Sequence, residues 1–305
     1  MTDYGRPLEF GYFLIPNADD YPQLVELARL VEELGLDLIG IQDHPYQRRF
    51  LDTWTFLTAI AIQTSRVRVF PDVINLPLRP PAVLAKAAAS LDLMSGGRVE
   101  LGLGAGGFWD AIAAMGGPRR ESRDAIAALE EAIAVIRLMW SDQRAVHFDG
   151  RFYTLHGVHP GPLPKHPIGI WIGATRPKML DLTGRLANGW IPSFPNVQPA
   201  KLPEMHQRID EGAANAGRDP STIQRLYNLF GRITDGPSSG ALNGPVEQWV
   251  DELTEFTVVH GMDSYIFAPA DSPDSQLRRF ALEVVPRVRE NVDRYRLSAQ
   301  KSTTP

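Results

Sequence analysis

Short runs of nearly continuous apolar residues recur along this chain, at 8–15, 36–42, 67–74, 98–103, 168–173, 189–192, 223–230 and 264–268. Runs of that length, apolar on both alternate positions, suit strands buried on two faces, as in a parallel sheet. Between them the period changes. Leu24, Leu27, Ala28, Val31 and Leu34 repeat at helical spacing within 21–34. Similar patterns predict helices over 52–64, 82–94, 123–140, 178–186, 202–216, 246–259 and 275–292. Strand and helix alternate about eight times. That favours an α/β fold of the (β/α)8 TIM-barrel type over an open doubly wound sheet. Residues 1–297 read as one such domain, and 298–305 as a disordered tail.

One insertion interrupts the alternation before the fifth strand. The segment AVHFDGRFYTL (145–155) centres on Asp149-Gly150, a strong hairpin signal. Placed between helix four and strand five, it is expected to sit over the barrel mouth. There Phe148, Phe152 and Tyr153 would give a partly apolar pocket.

Composition narrows the chemistry. The 305 residues are 44% hydrophobic and 22% charged, with a net charge of −5, which is globular and offers no basic face for nucleic acid. No cysteine is present, so disulfides, thiolate metal sites and cysteine nucleophiles are excluded. No apolar run reaches membrane-spanning length and the N-terminus lacks the pattern of a signal peptide. A soluble cytoplasmic protein is therefore expected, without nucleic-acid or membrane partners.

In such barrels the chemistry lies just after the strands. Strand two ends in Gln42-Asp43-His44-Pro45, and His44 is the best candidate for proton transfer near neutral pH. Asp43 is read either as raising the pKa of His44 or orienting it, or as capping the next turn. Strand four runs into Gly102, Gly104, Gly106 and Gly107. Glycines there let a flat ring or a phosphate approach the backbone, or make a tight turn. The segment also matches G-x-G-x-x-G, but it follows the fourth strand, with no acid at the distance a dinucleotide fold requires. Strand five ends in Gly173-Ala174-Thr175-Arg176, where backbone N–H groups, the Thr175 hydroxyl and Arg176 can hold a phosphate. Ordinary capping by Thr175 is the alternative. Ser193 follows strand six. Trp109, directly after the glycines, and Phe13 are expected in the substrate pocket. The remaining histidines, His147, His156, His159, His166, His206 and His260, follow no metal-ligand spacing, so no metal is expected.

The segments FGYFLIP, LDLIGIQDH, LPLRPPAVLAKAAASLDLMSGGRVELGLGAGG and PIGIWIGATRPKMLDLTGRLANGWIPS, with a C-terminal GMDSYIFAP, together resemble the luciferase-like monooxygenase superfamily over residues 10–289. Its members use FMN or the deazaflavin F420 on a (β/α)8 barrel. The resemblance implies that Asp43 and His44 form the strand-two active-site pair. It implies that Asp72, Val73 and Asn75 lie at the end of strand three, where relatives often carry a bulge with a non-proline cis peptide behind the ring. Gly104, Ala105, Gly106 and Gly107 would flank the ring, and Gly173, Ala174, Thr175, Arg176 and Ser193 would hold the phosphate. Homodimers are common in the family. This chain also departs from its relatives. The acid that some sugar dehydrogenases carry just after the glycine loop is replaced by Gly107, and Arg79-Pro80-Pro81 stands where Arg-His-Pro is frequent.

The resulting expectation is an F420-dependent oxidoreductase that passes a hydride between the deazaflavin and a small organic substrate, with His44 handling the proton. Arg176, Lys178 and Lys201 are candidates for the acidic tail of F420. The alternative is an FMN-dependent monooxygenase served by a separate flavin reductase. A non-catalytic flavin-binding barrel is a third reading, disfavoured by the presence of His44.

Overall fold

The computed structural model describes residues 3–303. Its main sheet is built from β1 (Glu9–Leu14), β2 (Leu38–Ile41), β3 (Arg68–Pro71), β4 (Ile74–Asn75), β5 (Leu101–Gly104), β8 (Ile170–Ile172), β9 (Gly189–Trp190), β10 (Gln224–Ile233) and β12 (Ser264–Pro269), with β11 (Asn243–Gly244) appended to β10. A separate antiparallel pair is formed by β6 (Val146–Asp149) and β7 (Thr154–Val158). Hydrogen bonding runs in the order β3-β2-β1-β12-β10-β9-β8-β5-β4, with every pair parallel. The two ends of that order are halves of one interrupted strand, and Val69 bridges Val99, so the sheet comes round on itself. This is the (β/α)8 barrel. The helices are α1 (Tyr21–Glu33), α2 (Thr53–Gln63), α3 (Pro81–Ser95), α4 (Trp109–Ala114), α5 (Ser122–Met139), α6 (Pro177–Leu186), α7 (Leu202–Asn215), α8 (Val246–Val258), α9 (Pro273–Arg279) and α10 (Val285–Thr303).

Sequence chemistry explains the boundaries. Asp52 caps α2 by accepting the Thr55 N–H at 2.9 Å. The α3 helix stops where Gly96 adopts φ +82°, the left-handed conformation that ends helices most cheaply at glycine. Apolar side chains on the outward faces of the strands pack under the helices in one large cluster. A second cluster, including Phe13, Phe70, Trp171, Leu226 and Ile266, fills the barrel lumen below its mouth.

Three expectations need correction. The third strand, read as continuous over 67–74, breaks at the cis Asp72–Val73 peptide into β3 and β4. The hairpin contributes none of Phe148, Phe152 and Tyr153 to the cavity at the barrel mouth. It lies against α5, where the Glu131 carboxylate accepts the N–H groups of Arg151, Phe152 and Tyr153 at 2.8–3.2 Å. Arg120 stacks on Phe152 and Tyr153, with its guanidinium carbon 5.3 and 5.6 Å from the ring centres. Finally, α10 continues through Ser298 to Thr303, so the segment read as a disordered tail is helical that far, and its last two residues lie outside the described residues.

At the opposite end of the barrel from its mouth, His166 bridges two carboxylates. Its Nδ1 is 2.8 Å from Asp92 Oδ1 and its Nε2 is 3.6 Å from Glu100 Oε1. Glu100 and then Asp92 outweigh partial burial and raise the His166 pKa above its ordinary 6.5. A pKa raised by folding contributes stability that is complete below pH 6.5 and disappears as pH rises through the folded value. Urea midpoints at pH 6 and pH 9 are expected to differ more in the wild type than in His166→Gln. Equal differences would remove His166 from the linkage.

Candidate active site

The parallel strands deliver their ends to one face, and a cavity of about 380 Å³ opens there between the ends of β2, β4, β5 and β8. Its floor is set by Val73. A Cβ built on Gly104 would stand 2.9 Å from Val73 Cγ2, and one on Gly173 would stand 3.2 Å from it. Glycine at both positions therefore lets the isopropyl group wedge between two strands. Gly106, at φ +102°, is confined as well, since a Cβ there would lie 2.7 Å from the Trp109 ring and 2.8 Å from Pro77. Gly107 faces open space. The glycine loop is thus both a packing requirement and a cavity wall with no side chains of its own.

Asp43 is buried and fully engaged. Its Oδ2 accepts the Asn75 N–H at 2.8 Å and the Arg79 Nε–H at 3.4 Å, and its Oδ1 accepts from Arg79 Nη2 at 3.2 Å. Arg79 also reaches Asp52 at 2.6 Å. Asp43 therefore fastens the end of β2 to the broken third strand, and its oxygens point away from any role as the hydrogen-bond partner of His44. That partner is Tyr46, whose hydroxyl lies 2.6 Å from His44 Nδ1. Desolvation lowers the His44 pKa below 6.5, and the attraction of Asp43 only partly offsets it. Burial pushes the Tyr46 phenol up to about 12, so it keeps its proton. If Nδ1–H donates to Tyr46, Nε2 carries a free lone pair. If the phenol donates, Nε2 carries the proton. In the first arrangement Nε2 is a base, and the imidazolium formed when it takes a proton is the matching acid.

On the far wall, Trp190 Nε1 donates to the Ala174 carbonyl at 2.9 Å and pins the 173–176 loop. Arg176 occupies the N-cap position of α6 without a side-chain cap, and Pro177 starts the helix. Thr175 does not cap it. Exposed Thr175 and Arg176 therefore meet the cavity beside an uncapped helix start, and the first residue of α5, Ser122, lines it too.

Asp43, His44, Val73, Asn75, Gly104, Ala105, Gly106, Gly107, Trp109, Gly173, Ala174, Thr175 and Arg176 all line this cavity. Asp72, Ser193 and Phe13 do not. Asp72 lies below the floor and accepts from Asn228 Nδ2 at 3.2 Å, while the same amide reaches Ser193 Oγ at 3.2 Å. Burial raises the Asp72 pKa to about 7. Phe13 packs edge-on against Phe230 at 5.4 Å in the lumen. Lys178 and Lys201 are not lining residues either, nor are Phe148, Phe152 and Tyr153. Sequence reading missed Tyr46, Phe108, Ser122, Ile126 and Met179. Tyr46 and Phe108 stand next to segments already singled out. The other three come from helix starts that carry no site-like pattern.

The described features suit a flat ring with a phosphate arm. The floor is apolar, the glycine walls add no bulk, and Asn75 Oδ1 is buried at the cavity without a hydrogen-bond partner. That oxygen is an acceptor awaiting a donor such as a ring N–H. The model of one protein family, luciferase-like monooxygenase, matches residues 8–238. This chain belongs to the luciferase-like monooxygenase family. It is accordingly an oxidoreductase of the luciferase-like type. It is 30% identical over 250 residues to an F420-dependent glucose-6-phosphate dehydrogenase of Kineococcus radiotolerans, covering 80% of this chain and 74% of the relative. The enzyme of the same name from Gordonia bronchialis is 30% identical over 233 residues, covering 73% and 68%. Among solved structures, an F420-dependent secondary alcohol dehydrogenase in complex with an F420-acetone adduct superposes with a TM-score of 0.82 at 19% identity, covering 93% of this chain and 99% of that one. The F420-dependent tetrahydromethanopterin reductase of Methanopyrus kandleri gives 0.79 at 19% identity, covering 93% and 100%. At such identities these two structures speak for the fold alone.

Proposed function

We propose that this protein is an F420-dependent oxidoreductase that transfers a hydride between the deazaflavin and a small organic substrate. The observation that carries the reading is His44, held by Tyr46 inside the glycine-walled cavity, in a chain whose relatives at 30% identity are F420-dependent dehydrogenases. Bound F420 supplies a two-electron hydride carrier. Val73, Gly104 and Gly173 would back its ring, and Asn75 Oδ1 would accept from a ring N–H. Thr175, Arg176 and the first turn of α6 would hold its phosphate.

The proton is the work of this chain. For alcohol oxidation, His44 Nε2 takes the hydroxyl proton while Nδ1–H donates to Tyr46. For carbonyl reduction the same step runs backwards: the imidazolium, its Nδ1–H still donating to Tyr46, gives its Nε2 proton to the carbonyl oxygen. Asp43 keeps the backbone that carries His44 in place through Asn75 and Arg79. This chemistry needs no oxygen. Turnover of F420 by the protein is expected to proceed at the same rate in air and under argon. Turnover that stops without O₂ and requires FMN and a reductase would replace this reading with the monooxygenase.

A further inference from the structure

We infer that the substrate of this site is a neutral alcohol, or the corresponding carbonyl compound, with an apolar body about the size of one ring, and not a sugar phosphate. The inference rests on the F420 reading and takes it one step further. It follows from what surrounds His44. Phe108 meets the imidazole edge-on at 5.5 Å and Tyr46 at 5.7 Å, yet Phe108 is 62% exposed. An exposed phenylalanine against a catalytic imidazole packs no core, and it gains contact area when an apolar ligand covers it. Trp109 follows Phe108 directly and lines the cavity with it.

Polar capacity is scarce by comparison. Both Asp43 oxygens are taken by Arg79 and Asn75. Gly107 faces open space and brings no side chain to the cavity. Arg176 is the one Lys or Arg among the described residues lining the cavity, and the F420 reading gives it to the cofactor phosphate. A sugar phosphate would bring a second phosphate and several hydroxyls into a wall that leaves them unpaired, which sites reject strongly. In the oxidative direction the carbinol C–H bond breaks, its electron pair and hydrogen pass as hydride to F420, the C=O bond forms, and the hydroxyl proton goes to His44 Nε2. The reductive direction reverses each transfer.

The test is calorimetry on the F420-loaded protein with 1-phenylethanol and with glucose 6-phosphate, after F420 affinity has been measured separately. Wild type is expected to bind 1-phenylethanol at least about tenfold more tightly than glucose 6-phosphate. Phe108→Ala is expected to weaken 1-phenylethanol binding about tenfold while F420 affinity stays within about twofold. Preference for glucose 6-phosphate, or unchanged 1-phenylethanol binding in Phe108→Ala, would overturn this inference and leave the F420 reading standing. Failure to bind F420 at all would remove both.

Discussion

Replacing His44 with alanine is expected to slow turnover by about 10²–10⁴-fold, the range for loss of a positioned acid–base group. Cofactor affinity should change little, because the ring contacts of His44 are to Tyr46 and Phe108 and the residues proposed to hold the phosphate lie on another strand end. The structure adds a companion expectation. Tyr46→Phe removes the hydroxyl 2.6 Å from Nδ1, so it should also slow turnover, by less, and change its pH profile. Steady-state rates together with cofactor titrations would separate the two effects. Wild-type turnover in His44→Ala would take the imidazole out of the mechanism, and lost cofactor binding would recast it as a structural residue.

A comparable effect on stability is expected from Arg79. Among the described residues its guanidinium is the one ion-pair partner of Asp43, whose side chain is fully buried. Arg79→Met leaves that carboxylate with the Asn75 N–H alone. Stranding one member of a buried pair costs about 3–5 kcal/mol, and the partial exposure of Arg79 puts the expected loss near the lower figure, about 3 kcal/mol. Adding Asp43→Asn to the same chain should restore part of the loss, because a neutral amide tolerates the site better than an unpaired charge. Urea unfolding of both variants gives the answer. A loss below about 0.5 kcal/mol, the scale of an exposed pair, would mean that Asp43 is not held as described.

Much of this architecture was written in the pattern of apolar residues. Each of the eight strand signals coincides with a strand of the barrel or, for the third, with two. Period-two and continuous runs report burial, and burial is what the closed sheet imposes. The break at Asp72–Val73 is marked in the apolar run only by the charged Asp72, and apolar residues on either side, Phe70 and Ile74, keep the run looking continuous. The hairpin was legible from Asp149-Gly150, but not its destination. Its docking depends on Glu131, eighteen residues before Asp149 and on the outside of α5. Likewise α10 outlasts the apolar period that announces it, since 293–303 is mostly polar.

At the site, the strand-end rule located His44, the glycine loop and the 173–176 loop, because parallel strands bring their ends to one face. It did not give direction. Asp43 is the immediate neighbour of His44 in sequence and turns instead to Arg79, while Tyr46, two residues on, turns back to the imidazole. Phe13 and Asp72 sit at strand ends too, but their side chains point into the lumen, where Phe230 and Asn228 meet them.

The central claim is that the glycine-walled cavity is built for F420. It is tested most directly by titrating the purified apoprotein in parallel with F420 and with FMN, following fluorescence and heat. Tight, saturable binding of F420 with little or no binding of FMN is the predicted result. Tight binding of FMN with none of F420 would contradict it.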